Sequence, residues 1–590
     1  MRREPEFIFK SESIYDKFGR KRFFKGVTLN FEKTHNSTSK NYILTQDNVK
    51  EKLLKLKDFG CNLLHLCITW DDIEHEGPEQ YDEDFLAQLR TALKQAEEFN
   101  LPVIIQPEMK GWSKATGGIG APDWTLETAG IDIEKLKTCA EQKEQIIASK
   151  NELKLQDNPI LAYATCTMQT LFWNSSNLAL QTTFDGEKLQ YFLQNSYIAA
   201  MKHTARRIKD CETVIGFAIM DTACSGFIGL SDLEKNSLPT KNNLLGFGWQ
   251  LPYFECIKAA SGLQIEYKKA STKIHTILQT QTPHIPAGID IFKEGHCCPW
   301  INANLWHIDE SGVPILDKPN YFQLNKNETF AEEFLKPFQE QFIEAFQKKY
   351  SHFVFLVQPD SLGHNTKWKA ANDANKSAIT AAEKEGGVLP EFDAQGHKIL
   401  LSKCFFPQKR NPKKALNIEN NNKESLFPPE ILQYNLGSHQ IKTERQLTTL
   451  CEQIASEIDT IHRESLSVIL DGRGIEYSYN KNLAQNEIKI LEKNFCKPYL
   501  MAINGVPTKI KFTPLPSPVF ELEWESLPQP AETNTDYATE IFVPACVFPK
   551  GWKVQKFDGV GTLNCQSEEQ RLYIATFTQQ KCYLCIVATE

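Results

Sequence analysis

Apolar and polar positions follow two alternating periods along the first five hundred residues. Residues 61–70, CNLLHLCITW, form a short apolar run after a glycine, the pattern of a strand buried on both faces. Phe85, Leu89, Leu93 and Ala96 then recur at helical spacing behind acidic residues, and LPVIIQ at 101–106 turns apolar again. Strand, helix and strand in that order make one βαβ unit. The order returns with a helical stretch at 187–209 before VIGFAIM at 214–220, with 331–349 before HFVFLVQ at 352–358, and with 443–461 before 467–470. Such alternation predicts a parallel sheet covered by helices, and at this length closure into a barrel is the expected solution.

After residue 497 the helical period disappears. VFELEWES, ATEIFVPACVF and RLYIATF alternate with Pro and Gly turns, which predicts an antiparallel β-sandwich over 498–590. The barrel is expected over 1–497, with residues 365–424 as a polar insertion rich in Lys, Asn and Ala.

Composition narrows the classes of function. With 590 residues, 41% hydrophobic and 24% charged, the chain is globular and long enough for two cores. Its 66 Lys and Arg against 74 Asp and Glu leave no cationic excess for a phosphate backbone, so nucleic acid is not an expected partner. No stretch reaches the roughly 18 apolar residues of a membrane span, and the N-terminus lacks the apolar core of a secretory signal, so a cytoplasmic location is expected. The 16 cysteines are expected to be reduced and mostly buried. Cys582 and Cys585 form a CxxC inside a strand-like segment with no second pair at zinc spacing, so neither a metal nor a cofactor is expected.

Several segments resemble glycoside hydrolase family 5, and within it the endoglycoceramidase and glucosylceramidase-like branch. They are RKRFFKGVTLN at 20–30, ITWDDIEHEGPEQYDEDFL at 68–86, GWSKATGGIGAPDWTLE at 111–127, IGFAIMDTACSGFIGL at 215–230 and CCPWINANLWHIDESGVPILDKPNYF at 297–322. KPYLMAINGVPTKIKF and TEIFVPACVFPKGWKVQKFDGVG are similar to the family's C-terminal sandwich. The resemblance covers nearly the whole chain. It implies a (β/α)8 TIM-type barrel followed by a sandwich, and hydrolysis of a sugar–lipid β-glycosidic bond with retention, which needs two carboxyl groups about 5–5.5 Å apart.

The chain departs from that pattern where the chemistry should be. The family's acid/base glutamate, in an Asn-Glu-Pro run after strand four, aligns with Thr222 beside Asp221, and its nucleophile with Gly472 beside Asp471. A strand-two arginine aligns with His65, a strand-three histidine with Glu108, and a later histidine–tyrosine pair with Cys404 and Phe406. The stretch from Glu476 to Cys496 is short for a last helix and eighth strand, which leaves open a (β/α)8 barrel that is complete or one unit short. A threonine hydroxyl cannot serve as general acid near neutral pH.

The resemblance with these substitutions implies a protein with an inactive or impaired site that binds a sugar, a glycolipid or a protein. Trp70, Trp112 and Trp124 are the candidate sugar-stacking residues, against the alternative that they are packing. A second reading keeps hydrolysis through relocated carboxylates chosen from Asp221, Glu108, Asp471 and Glu476, against solvated carboxylates or partners of Arg473 or Lys110. A third makes the chain a protein scaffold through residues 365–424 and the charged helix at 133–155. His65 is expected to pair with Glu108.

Overall fold

The computed structural model describes residues 7–589 apart from 11–12, 35–42, 150–157, 221–222, 238–248, 270–283, 358–399, 406–429, 436–439, 442–447, 449–466, 472–475, 478–494, 515–516, 530–534 and 567–568. Eight strands make its central ring. They are β1 (Lys25–Phe31), β2 (Leu63–Thr69), β3 (Val103–Glu108), β4 (Val214–Ala218), β5 (Val354–Val357), β6 (Leu400–Phe405), β7 (Glu430–Asn435) and β8 (Ser467–Asp471). Each pairs with the next, and β8 returns to β1 with Val468 opposite Lys25, so the sheet closes on itself.

The ring differs from an all-parallel barrel at one place. β6 runs antiparallel to both β5 and β7, while every other pairing in the ring is parallel. β6 lies inside the segment expected to be a polar insertion, and β7 follows it before β8. The count of eight is therefore reached upstream of residue 476.

Strand parity sorts the side chains. Leu64, Leu66, Ile68, Val103, Ile105, Phe217 and Phe355 belong to the large core shared with the helices. Their neighbours of opposite parity, Leu63, Ile104, Ala218, Val354 and Leu356, form a separate inner cluster with Phe7 and Phe24. The helices read from the sequence cover the outside. In Glu83–Glu97, Asp82 caps the first turn by accepting from Phe85 N at 2.8 Å, and Phe85, Leu86, Leu89, Leu93 and Ala96 form the buried stripe.

The C-terminal unit is two antiparallel sheets. One contains Gly505–Thr513, Val519–Ser526, Gln580–Ala588 and Trp552–Asp558; the other contains Tyr499–Ile503, Thr539–Phe542, Arg571–Thr576 and Gly561–Gln566. Phe520, Leu522, Trp524, Ile541, Ile574, Leu584 and Ile586 fill the space between them. The second sheet also takes in the first three strands of the chain, Phe7–Lys10, Ser13–Asp16 and Lys21–Arg22, through Ala502 opposite Arg22. The start of the chain, placed in the barrel by the sequence reading, thus completes the sandwich instead. The three strands pair with one another in sequence, and Lys21–Arg22 joins them to a strand nearly five hundred residues away, a link that no local pattern can report.

Candidate active site

In a barrel of this kind, reactive groups project from the C-terminal ends of the strands, so the site is built from β2, β3 and β4 and the turns after them. β2 places Leu63 and His65 on the inner parity, and β3 places Ile104, Gln106 and Glu108 there. His65, Gln106 and Glu108 are all buried. His65 Nδ1 lies 3.4 Å from the Thr28 hydroxyl of β1. Glu108 ends β3, and Lys110 Nζ stands 2.5 Å from its Oε1.

The expected pairing of His65 with Glu108 gives way to this arrangement. Register sets His65 opposite Ile104 and Glu108 opposite Thr69, four residues further along, or about 13 Å of strand. The lysine two residues on, in the same chain turn, is the closer cation. Gln106, which the sequence reading passed over, was accessible through strand parity, since it alternates with Ile104 and Glu108.

Thr69 ends β2 and opens the helix Trp70–Glu74 with a reciprocal cap. Thr69 Oγ1 accepts from Asp72 N at 3.0 Å, and Asp72 Oδ2 accepts from Thr69 N at 2.8 Å. Burial pushes the Asp72 carboxyl up to about 6 despite these donors. Asp71 leaves the same turn toward Lys114, 2.5 Å away in the loop after β3. Glu74 is 1% exposed and accepts from Trp70 Nε1 at 2.6 Å and from Glu79 N at 2.5 Å. Its burial outweighs both donors and lifts the carboxyl to about 7. Sequence reading missed Glu74, because nothing in DDIEHEG marks which acid turns inward.

The three tryptophans proposed to stack on sugar are packed into this wall. Trp70 and Trp112 are 0% and 2% exposed, and Trp124 9%. Trp70 lies edge-on to both Trp124 and Tyr197 at 5.6 Å, and Trp112 edge-on to Phe172 at 5.8 Å. Their ring nitrogens are committed: Trp112 donates to Thr125 Oγ1 at 2.8 Å and Trp124 to the Glu74 carbonyl at 2.7 Å. Faces of Trp70 and Trp112 covered in this way present nothing to a ligand, so for these residues packing replaces stacking.

Asp221, Thr222 and Gly472 lie outside the described residues, as do Phe406 and Arg473. Asp471 is the last residue of β8, opposite Asn435 of β7. Glu476 is on a different ladder, paired with Gln440. Cys404 sits on antiparallel β6, opposite Val357 and Glu430. The charged helix Ile133–Ser149 is half packed, with Leu136, Cys139 and Ala140 buried and Lys143 Nζ donating to the Pro286 carbonyl at 2.5 Å. Much of the 365–424 stretch lies outside the described residues, and its 400–405 part is β6.

Cys582 and Cys585 are three residues apart on one strand, so their side chains leave opposite faces. Cys582 faces the sandwich core, while Cys585 Sγ lies 3.5 Å from Gln555 Oε1. Among the described residues no three His, Cys, Asp or Glu side chains converge as metal ligands, and no helix is long and apolar enough to cross a membrane. A cleft lined by Arg20, Arg22, Lys57, Asn62 and Arg571 lies at the opposite, N-terminal end of the ring, against the sandwich, and takes no part in this site.

Ring and sandwich together make a barrel-and-sandwich scaffold. Residues 497–582 match the glycoside hydrolase family 5 C-terminal domain. A glucosylceramidase of Rhizopus delemar is 28% identical over 332 residues, covering 53% of this chain and 46% of that protein. An ergosteryl-beta-glucosidase of Saccharomyces cerevisiae is 24% identical over 436 residues, covering 65% of this chain and 56% of that protein. The chain thus spans about half the length of the curated relatives it matches. A crystal structure of Cryptococcus neoformans sterylglucosidase 1 superposes with a TM-score of 0.70 at 17% identity, covering 100% of this chain and 98% of that one. These likenesses bear out the resemblance to the glucosylceramidase-like branch of glycoside hydrolase family 5.

Proposed function

We propose that this chain binds a β-glucoside of the glycolipid kind, a glucosylceramide or a steryl glucoside, in the mouth of its ring and does not hydrolyse it by double displacement. Support for the ligand comes from the names of its relatives, glucosylceramidase and ergosteryl-beta-glucosidase. Support for lost turnover rests on one observation. Glu108, which ends β3 on its inward parity, is ion-paired with Lys110 at 2.5 Å.

Retaining hydrolysis needs a nucleophile and an acid/base facing each other across the sugar, about 5–5.5 Å apart. In this chain the aligned positions are Gly472, which has no side chain, and Thr222, whose hydroxyl is too weak an acid to protonate a leaving group near neutral pH. Lys110, whose side chain is partly open, can hydrogen-bond sugar hydroxyls at the mouth without breaking a bond, while Thr28, His65, Gln106 and Glu108 lie buried below it.

The test uses the full chain. Calorimetric titration with octyl β-glucoside below its micelle concentration, and with glucosylceramide in mixed micelles, is expected to give binding heat at millimolar ligand or below. A chromogenic aryl β-glucoside is expected to hydrolyse no faster than in buffer. Turnover in the ordinary enzymatic range of about 1–10³ s⁻¹ sinks the claim of lost hydrolysis, and absence of heat with both ligands sinks the claim of binding.

A further inference from the structure

Where the chain leaves the ring and enters the sandwich, two cysteines meet. Cys496 precedes the first C-terminal strand, and Cys546 lies in the turn after Thr539–Phe542. Their sulfurs are 2.9 Å apart, less than about 1 Å beyond a covalent S–S bond. Cys546 Sγ also lies 3.9 Å from the Cys496 carbonyl, and Cys496 Sγ lies 3.6 Å from the Asp58 carbonyl at the end of the helix Val49–Asp58. The turn that carries Cys546 is held by Val547 N and Phe548 N, both bonded to the Pro544 carbonyl at 3.2 Å. Both sulfurs are therefore carried on backbone already fixed by other contacts.

We propose that Cys496 and Cys546 are a redox-modification site, forming a reversible disulfide that clasps the segment leaving the barrel onto the sandwich. The two residues differ in access. Cys546 is exposed and Cys496 buried, so a soluble oxidant meets Cys546 first. The oxidant is a low-molecular-weight disulfide such as glutathione disulfide. The Cys546 thiolate attacks one sulfur of that disulfide, releasing one small thiol and leaving a mixed disulfide. Cys496, after losing its proton, attacks Cys546 Sγ and expels the second small thiol. Two protein thiols are oxidised, one small disulfide is reduced to two thiols, and the two protons leave with them.

A buried cation lies next to the pair. Lys25 is buried in the seam, its ammonium donating to the Phe59 carbonyl at 3.0 Å and to the Phe495 carbonyl, the residue before Cys496. Contact with Cys546 and burial hold the Cys496 thiol well above the usual range, and the Lys25 charge offsets part of that rise. The bond would close a loop of roughly 50 residues, which constrains the unfolded chain and so stabilises the folded one.

The test is equilibration of the full chain with glutathione disulfide, acid quench, alkylation and peptide mass analysis. Expected are an intact mass lower by about 2 Da, a cross-linked peptide pair containing Cys496 and Cys546, reversal by dithiothreitol, and a melting temperature several degrees above that of the reduced chain. Cys546→Ser, at an exposed position, is expected to fold and to lose both the cross-link and the thermal shift. Full alkylation of both cysteines in a chain whose circular dichroism shows it folded overturns the proposal. So does a cross-link joining Cys496 to Cys61, and so does a cross-linked chain that melts at the temperature of the reduced one.

Discussion

Glu74 shows how little of a carboxylate's behaviour is written in its own position. Two N–H donors favour its ionised form, yet enclosure by Trp70, Trp124 and the turn to Glu79 raises it to about 7. In the unfolded chain a glutamate titrates near about 4.3. Between those values the folded state holds a proton that the unfolded state has lost, so this group's contribution is fully present below about pH 4.3 and disappears as pH rises through about 7. Asp72, raised to about 6 by burial, acts with the same sign. Glu74→Gln removes the titration. The urea midpoint of the wild type relative to this variant is expected to fall steadily from pH 4.5 to 7.5, and a difference that stays flat over that range contradicts the buried-acid account.

At the scale of elements, legibility follows how local the determining interactions are. The strands at 63–69, 103–108 and 214–218 and the helix Glu83–Glu97 came straight from period and capping, because each is specified by residues within its own span. β6 did not. LLSKCF is apolar enough to pair, but it lies in a polar stretch and its direction depends on β5 and β7. The His65–Glu108 pairing failed for a related reason: both residues share a face, but register, set by the whole of β2 against β3, separates them along the strands. The tryptophans near strand ends were legible as aromatic positions, while their burial was decided by helices such as Pro159–Leu178 and Leu189–Arg207 that supply Phe172 and Tyr197. Gly216 is the sharpest element-level constraint. A Cβ there would run into the Val354 carbonyl of β5, inside any real contact distance, and backbone cannot swing aside as a side chain can. Gly216→Ala is expected to cost about 3 kcal/mol or more through a displaced β4–β5 ladder, read as a lowered urea midpoint. A variant within about 0.5 kcal/mol of wild type refutes that constraint.

For the whole molecule, the two cores are pinned together by consecutive residues. Phe23 belongs to the sandwich core and Phe24 to the inner cluster of the ring, where it meets Phe7 edge-on at 5.2 Å. Asn62, at the start of β2, accepts from Lys25 N at 2.7 Å and donates to the Phe23 carbonyl at 2.8 Å, so one side chain fixes the crossing from both sides. Gly60 has a φ of 73° and sits so close to the Phe542 ring that a Cβ would overlap it, while Tyr499 donates its hydroxyl to the Gly60 carbonyl at 2.6 Å. Around the edge, Glu540 is buried between Arg22 at 3.0 Å, Arg571 at 2.7 Å and Arg20 at 3.7 Å, which ties the N-terminal strands into the C-terminal sheet. A seam built from buried backbone partners, shared aromatic packing and an enclosed ion network leaves neither unit a finished surface of its own. Calorimetry on the full chain is expected to show ring and sandwich melting in one transition. Phe23→Ala and Phe24→Ala, one in each core, are each expected to lower that single transition by the amount that about 3–5 kcal/mol of lost packing produces. A chain ending at residue 497 strands the pairing edge at Lys21–Arg22 and exposes Phe23, so it is expected to be recovered only as aggregate. Recovery of that fragment as a folded monomer, or two separate transitions of which Phe23→Ala moves only one, demonstrates that the units fold independently.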